Sequence, residues 1–263
     1  MSHEWRLIDS GPCSASYNMA LDEAISTAVR NRKAPPTLRF YHWDRPSLSI
    51  GCFQRTSDLD LDYCRQNSIP FVRRPTGGRA ILHEDELTYS FSVRTDKEPF
   101  SEGLMESYRR IGSAFTLAFR KIGIQVESKM QRERGRVLTQ NPLCFESSSY
   151  GEILLNNRKI VGSAQKRWKD GLLQQGSIPY SSDKEKIGHV FGIQASQTIN
   201  SINGLKEILP DFDDQKFRIA VQEAFEEVFG ISLPTSHPDR AEHQFAEELE
   251  KQKYLQNSWN LRL

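Results

Sequence analysis

The chain has 263 residues, with 35 Lys and Arg against 34 Asp and Glu, and its formal net charge is +1. This balance gives no global field that would attract nucleic acid or an anionic membrane, so neither is expected as a partner. The 37% hydrophobic content can fill a sizeable core, and we predict one α/β domain over residues 1–263. No apolar run is long enough for a signal-peptide core or a membrane-spanning helix, which is typical of a cytoplasmic protein.

The first third of the sequence predicts strands around one amphipathic helix. Residues 5–9 favour a strand, and the following helix is capped by Ser14 or Ser16. Its apolar face is formed by Tyr17, Leu21, Ala24, Ile25 and Ala28. Two strand-like runs, 38–41 and 48–51, flank a turn, and we predict that they pair as a hairpin. Acidic residues near its start favour a short helix over 57–67.

A pair of glycines, Gly77 and Gly78, follows a strand-like run at 71–74 and precedes an alternating strand at 87–93. Glycine allows positive φ and lets a ligand approach the main chain, but a simple hairpin turn has the same requirement. Four potential cations flank the glycines and favour a binding role, although arginines also occur on solvated faces. They are Arg73, Arg74, Arg79 and His83.

The middle of the sequence predicts a core helix, a polar loop and three strands. The apolar stripe of the helix over 102–123 belongs to the core, and a short strand follows at 124–127. Residues 129–142 lack periodicity and carry excess Lys and Arg, which indicates a solvated loop, a lid or a partner-docking surface. The strands are predicted at 152–155, 158–165 and 172–178.

The C-terminal part predicts helices over 213–229 and 240–254. It is too short to hold much core of its own. We therefore interpret it as a helical cap on the sheet, beginning at about residue 213, rather than as a second domain.

Cys144 and Lys159 lie fifteen positions apart and form a candidate acyl-transfer pair. A cysteine is nucleophilic as thiolate, and a neighbouring ammonium group favours that form. The small residues Gly162, Ser163 and Ala164 come shortly after the lysine. The alternatives are a buried structural thiol at 144 and a surface charge at 159. The four cysteines show neither a CxxC pair nor Cys/His spacing typical of zinc, so no metal site is predicted.

The order of several motifs resembles a known family. RRPTGGRAILH, then LTYSF, RKIVGSAQ and QQGSI, are similar to the catalytic domain shared by lipoate-protein ligases, biotin ligases and octanoyltransferases. The similarity runs from WRLIDSG to QNSWN, nearly the whole chain. Within the family, the sequence resembles most the octanoyltransferases of Gram-positive type.

The resemblance implies an α/β fold of mixed sheets, related to class II aminoacyl-tRNA synthetases. It implies transfer of an octanoyl group from acyl carrier protein to a lysine of the glycine cleavage H protein or another lipoyl domain, without a cofactor. Cys144 would form the acyl thioester and Lys159 would favour its thiolate. The pocket would be lined by Arg73, Arg74, Gly77, Gly78, Arg79, His83, Gly162, Ser163 and Ala164. A monomer is expected.

Two departures from the transferase pattern bear on the choice among related activities. Gln175 stands where a histidine usually precedes the Gly-Ser pair, and Glu84 replaces an aspartate after His83. Three alternatives therefore stay open: an ATP-dependent lipoate ligase, an amidotransferase between lipoyl domains, and a non-catalytic protein that binds a lipoylated partner. Arg79 in place of a third glycine, and Cys144 in place of an Asn-Asp pair, favour the transferase over the ligase.

Overall fold

The computed structural model describes residues 4–129, 152–156, 158–193 and 204–263, which form two β-sheets with helices on their faces. The predicted α/β class with mixed sheets is thereby confirmed. Cys144 and residues 130–142 of the predicted basic loop lie outside the described residues. The first residue of that loop, Lys129, ends a short strand, Glu127–Lys129.

The larger sheet has eight strands and the smaller has three. In chain order, the strands are Arg6–Cys13 (β1), Thr37–Trp43 (β2), Ser47–Ile50 (β3), Phe71–Arg73 (β4), Ile81–His83 (β5), Glu86–Arg94 (β6), Glu127–Lys129 (β7), Glu152–Leu155 (β8), Arg158–Arg167 (β9), Gly171–Pro179 (β10) and Thr235–Ser236 (β11). The large sheet has the order β11-β1-β2-β6-β10-β9-β8-β7, and the small sheet has the order β4-β3-β5. In the large sheet, β1 runs parallel to β2 and β11, and every other pair of neighbouring strands is antiparallel. In the small sheet, β3 runs parallel to β4 and antiparallel to β5.

Helices pack on the sheets in the predicted segments, and three further helices, at 184–191, 205–208 and 257–260, were not predicted. They are Ala15–Arg30 (α1), Leu61–Gln66 (α2), Leu104–Lys121 (α3), Lys184–Phe191 (α4), Leu205–Ile208 (α5), Asp214–Phe229 (α6), Arg240–Leu249 (α7) and Asn257–Asn260 (α8). A π-helical turn, Glu250–Tyr254, extends α7. The Ser14 side chain caps α1 by accepting from the Tyr17 amide, and Gly230 ends α6 in the left-handed conformation that glycine adopts readily. In the described parts of the chain, no helix has both the length and the apolar character needed to span a membrane.

The predicted hairpin between β2 and β3 is wrong. β2 pairs with β1 and β6 in the large sheet, whereas β3 pairs with β4 and β5 in the small sheet. The turn between β2 and β3 therefore carries the chain from one sheet to the other. A local turn pattern identifies the change of direction, but it does not say with which strand each run pairs.

The main hydrophobic core lies between the large sheet and the helices α3 and α6. Phe225 of α6 is fully buried, with ring centroids 5.8 Å from Phe91, 5.5 Å from Phe115 and 5.6 Å from Phe229. Aromatic pairs at these separations contribute beyond the burial of their area. This core holds β6 and β10, two of the strands that form the site described below.

We expect Phe225→Ala to lower the free energy of unfolding by about 3–5 kcal/mol, because it removes a fully buried ring and leaves a cavity. Urea titration followed by circular dichroism measures the change. Phe245, on α7 and 37% exposed, is the control, and its alanine variant should change stability by about 0.5 kcal/mol. Equal losses in the two variants would contradict this assignment of the core.

Candidate active site

A narrow cavity lies between the two sheets. Its wall combines apolar side chains with a small set of polar groups, the usual composition of a small-molecule site. The residues that line it are Met19, Tyr41, Trp43, Ser49, Arg74, Ile81, His83, Thr88, Gly162, Ser163, Ala164, Gln175, Gly176 and Ser177. Five of the predicted site residues are among them: Arg74, His83, Gly162, Ser163 and Ala164.

One wall consists of the adjacent strands β9 and β10. Gly162, Ser163 and Ala164 pair with Ser177, Gly176 and Gln175, respectively. Small side chains on both strands leave room for the cavity. At Gly176, an added Cβ would lie 2.2 Å from the Tyr89 ring, so only glycine lets this ring pack against the strand.

Tyr89 fixes the hydroxyl of Ser163 in this wall. The Tyr89 and Ser163 hydroxyls lie 2.8 Å apart, and the Gln174 amide donates to the Tyr89 oxygen at 2.7 Å. Burial raises the pKa of Tyr89 to about 12, so the phenol stays protonated and neutral at physiological pH.

The glycine turn packs behind the opposite wall, and Gly77 and Gly78, which were predicted to line the pocket, are not among the residues that line the cavity. Gly78 has a φ of 84°, and a Cβ added there would lie 2.9 Å from an Arg74 nitrogen and 3.7 Å from the Ala164 Cβ. The turn is not a hairpin, because β4 and β5 do not pair with each other and lie on either side of β3. Gly51 packs so closely under the turn that a Cβ there would come within 1.7 Å of the Gly78 carbonyl oxygen. Glycine at 51 and 78 thus brings the turn against β9.

Arg74 is the arginine that lines the cavity. Its guanidinium donates to the carbonyls of Gly77 and Arg79 at 2.7 Å each, and to the Ser49 hydroxyl at 2.9 Å. The side chain is buried, and these acceptors fix its orientation. Arg79 itself is half-buried and is absent from the cavity lining.

Arg73, in contrast, points away from the cavity. Its guanidinium is fully buried and donates to the carbonyls of Gly51 at 2.8 Å, Gln54 at 2.7 Å and Asn260 at 3.2 Å. Burial, together with the nearby charge of Arg262, lowers the pKa of this guanidinium. Arg73 thus holds the 51–54 loop and the C-terminal helix together, and its predicted place in the pocket lining is not observed.

His83 lies between a carboxylate and a hydroxyl. Its Nδ1 is 2.7 Å from Glu86 Oε1, its Nε2 is 2.7 Å from Ser49 Oγ, and its ring stacks on Trp43 at 4.1 Å. Glu86 also accepts from the hydroxyls of Thr88 and Ser177. Burial by itself would raise the pKa of Glu86, but the charge and hydrogen bond of His83 and these hydroxyls outweigh it and lower this pKa.

Sequence reasoning missed the polar network behind the cavity wall, in which Asp22 binds the lining residues Tyr41 and Gln175. Asp22, on α1, is fully buried and accepts from Arg39 at 2.7 Å, Tyr41 at 3.0 Å, Ser90 at 2.6 Å and Gln175 at 2.8 Å. Asp22 lies on the buried face of α1, one turn after Asn18 and three residues after Met19. A polar residue on an apolar helical face was the available signal, since a buried carboxylate requires partners.

Lys159 lies near the beginning of β9, three residues before Gly162, which corresponds to about 10 Å along a strand. It is buried, with 5% of its surface exposed, and does not line the cavity. The pairing of β9 with β8 skips Ile160 between Val161 and Lys159, and such a bulge redirects a side chain relative to a regular strand. Cys144 lies outside the described residues, so its distance from Lys159 stays a prediction.

Known proteins are similar to this chain in sequence and in fold. The family model for the lipoyl protein ligase A/B catalytic domain matches residues 14–226. Octanoyltransferase LipM of Bacillus cereus is 34% identical over 271 residues, covering 98% of each chain, and Octanoyltransferase LipM of Bacillus subtilis is 34% identical over 273 residues, covering 97% of each. A crystal structure of lipoate-protein ligase A bound with ATP superposes with a TM-score of 0.82 at 24% identity, covering 98% of each chain. The predicted ligase-like fold is confirmed.

We expect Gly51→Ala to disrupt the glycine turn, because its Cβ would overlap the Gly78 carbonyl oxygen. The backbone of the turn must move away from β9, which should lower the unfolding free energy by about 1–3 kcal/mol and enlarge the cavity. Thermal unfolding and binding of octanoate, measured by calorimetry, report the two effects. Gly77→Ala is the matched control, since an added Cβ there meets nothing within 4 Å.

Glu86 predicts a pH-dependent contribution to stability. Because its folded pKa is lowered from the ordinary 4.5, the ionised carboxylate stabilises the fold above pH 4.5, and this contribution is lost as the pH falls through the lowered value. We expect Glu86→Gln to be less stable than the wild type at pH 7 and the difference to shrink below pH 4.5. Urea titrations at a series of pH values measure this. A difference that stays constant down to pH 3 would refute the prediction, and Glu84→Gln, at a half-exposed site, is the control.

Proposed function

The chain belongs to the lipoyl protein ligase A/B catalytic domain family, and we propose that it is an acyltransferase that attaches octanoyl groups to lipoyl-domain proteins in lipoate biosynthesis. The donor in this proposal is octanoyl-acyl carrier protein, and the acceptor is a lysine of the glycine cleavage H protein or another lipoyl domain. Identity of 34% to named octanoyltransferases over almost the full length supports this choice. We further propose that the whole chain acts as one catalytic domain.

The observation that carries the proposal is the cavity between the sheets. Its walls include Trp43, Tyr41 and Ile81. The small residues 162–164 on β9 let an alkyl chain approach the backbone. Each methylene group that leaves water for such a lining contributes about 0.8 kcal/mol to binding. A medium-length acyl chain is thus a suitable ligand.

The proposed reaction has two transfers. The Cys144 thiolate, favoured by Lys159, attacks the octanoyl thioester, and the carrier leaves as a thiolate that takes a proton from Lys159 or from solvent. The ammonium group of the acceptor lysine then loses one proton to or through Lys159, and the neutral amine attacks the Cys144 thioester. The second amine proton passes to solvent as the amide forms and the Cys144 thiolate is restored. An amide is more stable than a thioester, so the second transfer needs no ATP.

The described residues have separate parts in this proposal. Gly162, Ser163 and Ala164 line the path of the acyl chain, and free amides on this stretch are candidate donors to the oxyanion. Arg74 and His83 hold the opposite wall in place. Residues 129–136 carry the basic charge that would meet an acidic carrier protein.

We expect incubation with octanoyl-acyl carrier protein to add one octanoyl group to the protein as a thioester, detectable by intact mass and removed by neutral hydroxylamine, and to give no such thioester with Cys144→Ala. Cys64→Ala is the matched control and should acylate like the wild type. Burial raises the pKa of the Cys64 thiol to about 11, which keeps it protonated and unreactive.

An octanoyl thioester that persists in Cys144→Ala, identified by its loss in neutral hydroxylamine, would refute the covalent mechanism at Cys144. Release of pyrophosphate with free octanoate and ATP would identify a ligase instead. Acylation from octanoylated H protein, but not from acyl carrier protein, would identify an amidotransferase. Transfer to the acceptor without any trapped adduct would indicate direct attack by the lysine.

A further inference from the structure

Ser49, His83 and Glu86 form a linear hydrogen-bonded chain at the cavity wall. The two heavy-atom distances, Glu86 Oε1 to His83 Nδ1 and His83 Nε2 to Ser49 Oγ, are both 2.7 Å. The three residues come from β3, β5 and β6, so rigid strands position them. Ser49 has 1% of its surface exposed, and it borders the cavity, from which a ligand would reach its hydroxyl.

The donors around Glu86 determine the direction of this chain. Thr88 and Ser177 both donate hydroxyl hydrogens to the carboxylate, which is buried. An ionised carboxylate only accepts, so His83 donates to it through Nδ1–H. In the neutral imidazole, Nε2 is then an acceptor, and the Ser49 hydroxyl donates to it.

Arg74 completes the arrangement. Its Nη1 donates to Ser49 Oγ at 2.9 Å, and its other nitrogens donate to the carbonyls of Gly77 and Arg79. A guanidinium in this position stabilises negative charge that develops next to Oγ. A hydroxyl nucleophile and a base with an orienting carboxylate thus meet at one apolar cavity, beside a fixed cation.

We propose that Ser49, His83, Glu86 and Arg74 form a second acyl-transfer centre that hydrolyses medium-chain acyl esters and thioesters. Ser49 is the nucleophile, His83 is the base, and Glu86 is a positioning residue that keeps the imidazole in the Nδ1–H form. The cavity that this centre uses belongs to the site described above, but its chemistry requires neither Cys144 nor Lys159. The proposal therefore goes beyond the acyl transfer to lipoyl domains, and an experiment can refute either activity without refuting the other.

Both steps balance without a co-reactant other than water. Ser49 Oγ bonds to the carbonyl carbon of the ester as its proton passes to His83 Nε2, and the alcohol or thiol leaves with that proton. Water then attacks the octanoyl-Ser49 ester and gives a proton to His83. The proton returns to Ser49 Oγ as octanoic acid departs.

The test uses full-length Cys144→Ala protein, so that the cysteine cannot contribute, with p-nitrophenyl octanoate as the probe. We expect steady release of nitrophenol and an octanoyl ester on the peptide that contains Ser49, found by mass spectrometry after acid quenching. Adding Ser49→Ala or His83→Ala to this background should lower the rate about 100-fold. Ser26→Ala is the matched control, because Ser26 is a fully buried serine on α1 whose hydroxyl makes no hydrogen bond among the described residues.

If the Ser49→Ala variant unfolds, peptide mapping still decides the test, because it locates the octanoyl ester in Cys144→Ala protein that retains Ser49. An octanoyl ester on any other residue, or a rate in the folded Ser49→Ala protein equal to that of its background, would overturn the proposal. A purely structural hydrogen-bond chain would lower the melting temperature of the variants and give no ester on Ser49. Slower release of nitrophenol in Glu86→Gln, with the octanoyl ester still found on Ser49, would assign Glu86 to positioning as proposed, and a rate equal to that of the Cys144→Ala background would overturn that role.

Discussion

The buried ion pair between Asp22 and Arg39 is the interaction on which the site depends. Both side chains are fully buried, and the Asp22 carboxylate also accepts from Tyr41, Ser90 and Gln175. One helix and three strands of the large sheet therefore meet at a single carboxylate. Removing one partner of such a pair leaves an unpaired buried charge, which typically costs 3–5 kcal/mol. The pair restricts how α1 can lie on the sheet more than any apolar contact does, because its geometry is directional.

The same network connects the two sheets. Gln175 donates to Asp22 at 2.8 Å and accepts from the Thr76 hydroxyl at 2.8 Å, and Thr76 belongs to the turn that precedes Gly77. The position of the glycine turn is thus linked to the helix through one amide side chain. Because this amide has a donor and an acceptor, glutamine satisfies both partners at once.

The sequence predicted the elements well, but it predicted their pairing less well. Apolar periodicity located α1, α3 and α6 because each buries a continuous face, and it located β6 and β10 because strand composition reports burial. It missed Asp22, since periodicity counts apolar residues and treats a buried carboxylate as a break. It assigned β2 and β3 to one hairpin because sheet membership depends on contacts distant in sequence. The charge of Arg73 and Arg74 predicted that both would line the pocket. Only the fold shows that Arg73 holds the 51–54 loop and that Arg74 lines the cavity.

Each ionised group around the cavity has fixed hydrogen-bond partners, and this explains how an apolar ligand site can hold so many polar residues. Asp22 faces Arg39, Glu86 faces His83, and the Arg74 guanidinium faces backbone carbonyls. With these partners in place, the aromatic and aliphatic side chains define the surface that an alkyl chain contacts. The polar side chains that border the cavity include Ser49 and Arg74, which lie on the wall opposite β9. In the proposed function, an acyl group between the sheets would contact these groups on one side and the small residues of the Lys159 strand on the other.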